Sequence, residues 1–247
     1  MAKVLWRGDT SDGFMRGEGK FEIQQNLSDI MNMMITIEAA GRTCYRSQVG
    51  EITPATAGQF LRMILKRGHE SVIEHSCLTV KFINVSRGFT HEMVRHRLCA
   101  FSQESTRYVD YAGGKLDLEE SELKFIMPPH KDCQRGGRNI ISHGVSTGHM
   151  VDTIENFYKH LRSHGWSPQD ARQFLPIGIC SQIVVTANFR EWRHIFKMRT
   201  QKAAHWEIRY VMCDLLKMLK DVVPVVFEDF VFSPEPDKDG YMYTLNP

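Results

Sequence analysis

The segment 95–108 contains the side chains of this sequence that are best suited to chemistry. Three arginines, one histidine and two serines fall within fourteen positions, interleaved with apolar and aromatic residues. Guanidinium groups make planar, bidentate contacts with phosphate, and small hydroxyl groups can bind its remaining oxygens. If the end of the segment is extended, Ser105 and Arg107 project to the same side, because strand side chains repeat every two residues. The segment therefore predicts a site for an anionic ligand, and a nucleotide fits it best.

A second basic stretch lies between Asn188 and Arg199, with Trp192 and Phe196 among its basic residues and Glu191 as its one acid. A solvated helix face would explain the charges alone, but the aromatic residues and the shortage of acids favour a second part of the anion site. Neither G-x-G-x-x-G after a strand nor G-x-x-x-x-G-K-[ST] occurs. A dinucleotide would therefore bind here without a Rossmann or P-loop site.

The spacing of the histidines and cysteines does not favour a metal site or a nucleophilic thiol. His91 and His96 are five positions apart, so they do not share a helix face as a zinc-protease pair would. His69 and His75 have no cysteine or acid at a metal-ligand spacing, and we predict no metal centre. Cys133 lies beside two arginines, which favours a thiolate. A methylase that depends on Cys133 remains an alternative, although no orienting base is evident.

The composition indicates a globular protein. The chain has 247 residues, 42% of them hydrophobic and 24% charged, with a net charge of +2. This near-neutral balance argues against a dedicated nucleic-acid binder. No apolar run reaches the length of a membrane span, and the N-terminus does not resemble a signal peptide. Six scattered cysteines without a C-x-x-C pair indicate reduced thiols, so we expect a cytoplasmic protein.

Helices and strands alternate along the chain and predict one α/β domain without internal repeats or linkers. Strands are predicted at 4–6, 21–23, 78–83, 123–127 and 179–188. Helices are predicted at 27–40, from 54 to about 67, and at 86–94, 147–163, 168–174, 189–198 and 204–221. Cap residues and stop signals set several of these ends, namely Ser28 and Gly41 for the first helix, Thr53 with Pro54, Ser86, Ser167, and Pro224.

Arg95-His96-Arg97, followed by seven residues and then Ser105-Thr106-Arg107, resembles the signature R-H-R-x7-S-x-R of the flavin-dependent thymidylate synthases. Further similarities follow in family order over about residues 35–230: Gly41-Arg42-Thr43-Cys44-Tyr45, Gly68-His69-Glu70-Ser71 with Glu74-His75, Arg172 with Leu175-Pro176, the stretch 186–199, and Trp206-Glu207-Ile208.

The resemblance implies an enzyme that makes dTMP from dUMP. Methylenetetrahydrofolate would supply the carbon, and NADPH would supply the hydride through tightly bound FAD. The implied fold is α/β, of the α+β type, with a mixed β-sheet flanked by helices in a single domain over 1–247, whose first 25 or so and last 15 or so residues are peripheral. The implied assembly is a homotetramer with active sites shared between subunits. Binding to membranes is not implied, and nucleic acid is not the expected main partner.

The resemblance also assigns roles to individual residues. Implied FAD contacts are Ser71, Arg95, His96, Arg97, Gln103, Asn188, Phe189, Arg190 and His194. Implied dUMP contacts are Glu92, Met93, Val94, Arg95, Gln103, Glu104, Ser105, Thr106, Arg107, Arg172 and Arg199.

Arg199 matches the arginine that polarises the N3 edge of uracil, where a fixed cation would stabilise developing negative charge. Ala203 is a departure, since some members have histidine there, and His69 is the group expected to serve the folate or nicotinamide side instead.

A competing hypothesis is a nucleotide- or RNA-binding module without chemistry, in which arginines and aromatic residues bind single-stranded bases. It would bind RNA in a strongly salt-dependent way.

Overall fold

The computed structural model describes residues 14–16, 19–47, 50–113, 123–127, 141–142, 145–238 and 240–245. Its strands are β1 (Phe14–Arg16), β2 (Lys20–Ile23), β3 (Cys77–Ser86), β4 (Ala100–Gln103), β5 (Phe125–Met127), β6 (Ile141–Ser142), β7 (Val145–Ser146) and β8 (Cys180–Asn188). Its helices are α1 (Leu27–Tyr45), α2 (Pro54–Lys66), α3 (Arg87–Met93), α4 (Thr147–Ser163), α5 (Pro168–Ala171), α6 (Phe189–Arg199), α7 (Trp206–Val222) and α8 (Pro224–Phe227), with short 3-10 helices at Glu70–His75 and Arg172–Phe174.

The central sheet has four strands in the order β2-β3-β8-β4, and every neighbouring pair is antiparallel. The expected mixed sheet is therefore corrected. The strands β1 and β5 form a separate parallel pair, and β6 and β7 form a small antiparallel pair. Strands predicted at 21–23, 78–83, 123–127 and 179–188 are confirmed with slightly different ends, and the strand predicted at 4–6 lies outside the described residues.

Helix α1 begins at Leu27 as predicted, but its N-cap and its C-terminal end differ from the prediction. Its N-cap is Asn26 and not Ser28: the Asn26 side chain accepts a hydrogen bond from the Asp29 backbone, and the Asp29 carboxylate accepts one from the Asn26 backbone, both at 3.0 Å. Gly41 does not end the helix. A Cβ at Gly41 would lie 2.5 Å from the ring of Phe60, so this glycine permits close packing of α1 on α2.

Two other helix starts follow the sequence signals. Thr53 caps α2, with Pro54 as its first residue. Ser86 caps α3, since its hydroxyl oxygen accepts a hydrogen bond from the Phe89 backbone at 3.0 Å. Ser86 is also bound to a buried carboxylate of α7: its backbone N–H and its hydroxyl each donate to Glu207 at 2.6 Å. The start of α3 is thus fixed to the core of the protein.

The hydrophobic core lies between the sheet and helices α1, α2, α3, α6 and α7. Fully buried aromatic side chains dominate it, among them Phe82, Phe89, Phe189, Trp192 and Phe196. The long helix predicted at 204–221 is α7, but Pro224 begins the short helix α8 after it and does not merely terminate α7. A smaller apolar cluster is formed by Leu123, Phe125, Tyr158, Leu161, Ala171 and Ile179. Among the described residues, no helix is long and apolar enough to span a bilayer.

Candidate active site

The register of the sheet brings three of the predicted site segments to one of its ends. Cys77 at the start of β3 pairs with Asn188, the last residue of β8. Ala100 at the start of β4 pairs with Thr186, two residues before the end of β8. The 3-10 helix before β3, the segment 95–97 before β4 and helix α6 after β8 therefore lie together. We call this end of the sheet, where β8 finishes at Asn188, the β8-terminal end of the site.

The opposite end of the sheet collects the remaining segments. Ser86 at the end of β3 pairs with Cys180, and Gln103 at the end of β4 pairs with Ile183. Residues 104–107 and the start of α3 are consequently neighbours there. Helix α3 connects the two ends, and its seven residues span roughly 10 Å. The Gln103 amide donates a hydrogen bond to the Thr90 hydroxyl, which attaches β4 to the middle of α3.

Segment 105–109 forms a turn, so the expectation that Ser105 and Arg107 share one face of an extended chain is wrong. The backbone N–H groups of Tyr108 and Val109 both donate to the Ser105 carbonyl, at 3.0 and 2.9 Å. The Arg107 backbone N–H donates to the Ser105 hydroxyl at 3.3 Å. The turn keeps Ser105 and Arg107 close to each other by these local hydrogen bonds and not by strand periodicity.

Three arginines meet at this turn, and one of them, Arg107, is part of it. Arg172 donates to the Thr106 hydroxyl at 3.1 Å, and Arg87 donates to the Glu104 carbonyl at 3.1 Å. Arg107 donates to the amide oxygen of Gln169 at 3.4 Å, which links the turn to α5. Each guanidinium has five N–H groups, so most of them stay available to a ligand. The predicted residues Arg107 and Arg172 are thus brought together, and the group fits a phosphate.

The side chain of Glu104 is occupied by internal contacts. Its carboxylate accepts hydrogen bonds from the Tyr111 hydroxyl at 2.7 Å and from the Gln182 amide at 3.2 Å. Burial, with the nearby Glu104 carboxylate as a second cause, raises the pKa of Tyr111 well above its usual value. Its backbone is engaged as well, since the Glu104 N–H donates to the Gln182 carbonyl at 3.0 Å and the Glu104 carbonyl accepts from Arg87. The assignment of Glu104 to the dUMP site stays a prediction.

Arg199, the last residue of α6, is held by three hydrogen bonds at the β8-terminal end. Its Nη1 donates to the Glu92 carboxylate at 2.6 Å, and its Nη2 donates to the Glu92 carbonyl at 3.1 Å. Its Nε donates to Nε2 of His96 at 3.0 Å. The guanidinium therefore has a fixed plane, and its contacts are made by α3 and by the segment that follows it.

His96 is the central residue of this network. Its side chain is buried, and burial together with the positive charges of Arg199 and His194 lowers its pKa to about 4. His96 is therefore neutral at neutral pH. Its Nδ1 lies 3.6 Å from a carboxylate oxygen of Glu191, and its ring contacts that of His194 edge-on, with centroids 5.8 Å apart.

His96, Glu191 and His194 also place potential metal-ligand atoms within 4.8 Å of one another. The hydrogen bonds argue against a metal centre in this arrangement. Arginine can only donate, so the lone pair of His96 Nε2 is used by Arg199, and the proton of the neutral ring is on Nδ1. A cation bound here would also lie beside a guanidinium. Our prediction of no metal site is retained on this chemistry.

Four other predicted ligand contacts have exposed side chains. Arg95 and Arg97 are exposed, and their side chains form no hydrogen bond or ion pair with any other described residue. Ser71 is exposed on the 3-10 helix Glu70–His75. Arg190 is half-exposed and donates to Glu74 at 2.5 Å.

The remaining predicted contacts lie close to the protein backbone or in the core. Asn188 caps α6, since its side-chain oxygen accepts from the Glu191 backbone at 2.8 Å. Phe189 and Met93 are fully buried, so that only their backbone can face a ligand, whereas Val94 is 38% exposed.

An exposed histidine that the sequence did not indicate, His205, also lies near Glu92. Its Nδ1 lies 3.9 Å from the Glu92 carboxylate, just before α7 begins. Ala203 is exposed in the turn between α6 and α7, and His69 is exposed at the N-terminus of the 3-10 helix. The assignment of His69 to the folate or nicotinamide side stays a prediction, while Cys133 lies outside the described residues.

Sequence reasoning also missed Arg87 and the role of Glu191. Arg87 is separated by seventeen residues from the carbonyl that it binds, and no motif marks it. Glu191 did leave a signal, because it is the one acid of the basic stretch 188–199.

Comparisons with known proteins agree with the resemblance. The family described as thymidylate synthase complementing protein matches residues 26–225. A flavin-dependent thymidylate synthase of Mycobacterium sp. (strain JLS) is 34% identical over 208 residues, which cover 81% of each chain. The one of Corynebacterium efficiens is 35% identical over 218 residues, covering 85% of this chain and 84% of the relative. The one of Geobacter sulfurreducens is 31% identical over 199 residues, covering 78% and 80%.

Proposed function

The chain belongs to the family of flavin-dependent thymidylate synthases, and we propose that the two ends of the site described above carry out that reaction. The enzyme converts dUMP to dTMP, with 5,10-methylenetetrahydrofolate as the carbon donor and NADPH, through FAD, as the hydride source. The observation that carries the residue assignment is the fixed guanidinium of Arg199, bonded through all three of its nitrogens.

The residues at the β8-terminal end fit a flavin. Arg95 and Arg97 offer exposed guanidiniums suited to a pyrophosphate, and Ser71 adds a hydroxyl donor. The exposed ring of His194 and the half-exposed Arg190 border the same end. These donors are the ones proposed to hold FAD, with Asn188 and the backbone of Phe189 as further contacts at this end. Gln103 is proposed as an additional FAD contact from the opposite end of β4. When bound, FAD supplies the hydride that originates in NADPH.

The phosphate of dUMP is assigned to the turn at the other end. Ser105, Arg107 and Arg172 supply a hydroxyl and two guanidiniums, and the backbone of residues 103–107 lines the same place. Binding of the dianion needs no proton transfer from the protein, since a guanidinium remains charged at any ordinary pH. Two charge-assisted contacts from separate segments would orient the nucleotide as well as bind it.

Arg199 is assigned to the uracil ring. A cation with a fixed plane beside the imide edge stabilises negative charge as it develops on the ring, and it needs no reorientation during the reaction. Glu92 holds Arg199 in position, and its carboxylate can also accept a hydrogen bond from the imide N–H. Arg199 therefore acts as a fixed positive charge and not as a general acid.

A homotetramer with shared active sites is part of the proposal. Large apolar side chains are exposed at both ends of the site, with Leu98 at 75% and Tyr108 at 77%. A further aromatic group, Phe157, Trp166 and Phe174, is exposed although its rings contact one another. Exposed apolar groups of this kind mark contact surfaces between proteins. The single domain over 1–247 and the cytoplasmic location are proposed on the same family basis.

The assignment of Arg199 can be tested by comparing Arg199→Ala with Lys197→Ala, a basic residue of the same helix outside the site. Purified protein should be yellow, and NADPH should bleach the flavin band in both variants. We expect Arg199→Ala to lose dTMP formation by about 10²- to 10³-fold, the range for removal of one preorganised electrostatic contact. Wild-type dTMP formation in Arg199→Ala would refute the assignment, and a colourless wild-type protein that binds no added FAD would refute the flavin site.

A further inference from the structure

Glu191 is a buried acid that lies beside His96. Its side chain is 6% exposed, and no hydrogen bond from a described residue reaches its carboxylate. Burial raises its pKa, with His194 acting in the opposite direction. A buried carboxylate is costly unless it is compensated, so a specific partner is expected. Nδ1 of His96 lies 3.6 Å from one of the Glu191 oxygens, and the exposed His194 offers a ring nitrogen within 4.8 Å.

The hydrogen bond from Arg199 determines which ring nitrogen of His96 carries the proton. Arg199 Nε is a donor without acceptor capacity, so His96 Nε2 must be the acceptor. The neutral ring therefore carries its proton on Nδ1, where it faces an oxygen of the Glu191 carboxyl group. A distance of 3.6 Å is slightly longer than a hydrogen bond, and such contacts commonly tighten when ligands bind.

We propose that Glu191 is a positioning residue for Arg199 and acts through His96. The inference rests on the function proposed for Arg199. Glu191 stabilises the tautomer with the proton on Nδ1 and so keeps the Nε2 lone pair directed at the Nε–H of Arg199. Glu92 then fixes the other two nitrogens of the guanidinium. The order of contacts is Glu191, His96, Arg199 and finally the uracil ring.

Loss of the carboxylate should change the orientation of Arg199 more than the binding of substrate. In Glu191→Met the ring of His96 can adopt the other tautomer, which points an N–H at the N–H of Arg199. We expect kcat and kcat/KM for dUMP to fall together, because the interaction matters in the transition state. The expected loss is about 10- to 100-fold, as for outer-sphere groups that orient a functional side chain.

Glu191→Gln is the conservative variant. Arg199 still requires an acceptor at Nε2, so the glutamine should turn its amide oxygen towards Nδ1 and retain turnover within about threefold of wild type. Glu228→Gln, which removes an exposed carboxylate paired with Arg62, is the control for loss of charge. Flavin content and circular dichroism should be unchanged in all three variants. If Glu191→Met does not fold, the tautomer measurement on wild type and Glu191→Gln decides the proposal.

The tautomer can be measured directly by two-bond proton–nitrogen correlation spectra of protein labelled with nitrogen-15 histidine. The His96 signal is assigned by its loss in His96→Gln. We expect the pattern of a neutral ring protonated on Nδ1 in wild type and in Glu191→Gln, and a mixture of tautomers in Glu191→Met. A wild-type ring protonated on Nε2, or unchanged kinetics in Glu191→Met, would overturn the proposal.

These results separate failure of this inference from failure of the proposed function. If Arg199→Ala remains active, the catalytic assignment fails, whereas the tautomer of His96 still reports on the contact with Glu191. If Arg199→Ala is inactive and Glu191→Met has wild-type kinetics, the inference alone is overturned.

Discussion

Replacement of Ser86 by alanine should destabilise the protein far more than loss of an ordinary helix cap. The hydroxyl of Ser86 accepts a hydrogen bond from the Phe89 backbone and donates one to Glu207 at 2.6 Å. Loss of the cap costs about 1 kcal/mol. Loss of the second hydrogen bond costs about 2 kcal/mol more, because one oxygen of the buried Glu207 carboxyl group is left without its donor. The expected total is about 3 kcal/mol.

Thr53→Ala is the matched control, since Thr53 caps α2 through the Thr56 backbone without serving a buried carboxylate. We expect it to cost about 1 kcal/mol. With roughly 2–4 °C per kcal/mol for a chain of this length, the thermal midpoint should fall by roughly 6–12 °C for Ser86→Ala and roughly 2–4 °C for Thr53→Ala. Ser86→Thr, which keeps the hydroxyl, should recover most of the loss. Equal midpoints for the two alanine variants would refute the coupling to Glu207.

Two further predictions concern packing and thiol reactivity. Gly41→Ala places a Cβ 2.5 Å from the Phe60 ring, whereas the Cβ of Gly58→Ala meets nothing within 4 Å. The difference between the two variants in thermal unfolding should isolate an overpacking cost of about 1–3 kcal/mol. Equal unfolding of the two variants would contradict the close packing of α1 on α2. Burial raises the pKa of three thiols to about 12, so under mildly alkaline conditions iodoacetamide should label the exposed Cys44 and Cys77 well before Cys99, Cys180 and Cys213, as peptide mass spectrometry can check. Early labelling of the second group would show that burial does not control reactivity.

Local signals in the sequence were sufficient for most helices and strands. The caps Thr53 and Ser86 were predicted because a hydroxyl before a helical pattern acts within three residues of chain. The same reasoning predicted Ser28 as a cap wrongly, since Asn26 is also a cap residue type and its side chain accepts the hydrogen bond from the Asp29 backbone. Glycine after a helical pattern predicts a helix end at Gly41, but this glycine serves the packing against Phe60 of another helix, which local sequence does not indicate.

The site could be predicted as a set of residues but not as a network. Glu92 and Arg199 are 107 residues apart, and they meet because β4 and β8 are neighbours in the sheet. Arg193 shows the same limit from the other direction. It counted as part of the basic stretch, yet it is buried and paired with Asp229, so it does not add charge to the site. Contacts across the sheet require the strand order, which no local pattern encodes.

Helix α6 links the proposed site to the hydrophobic core. It carries Glu191 and Arg199 towards the site, while Trp192 and Phe196 are fully buried in the core. A rotation of the helix about its own axis would displace Glu191 and Arg199 together. Substitutions that alter core volume under α6 can therefore change turnover without touching any ligand. Given the role proposed for Arg199, we expect the packing of the core under α6 to affect the rate of thymidylate synthesis.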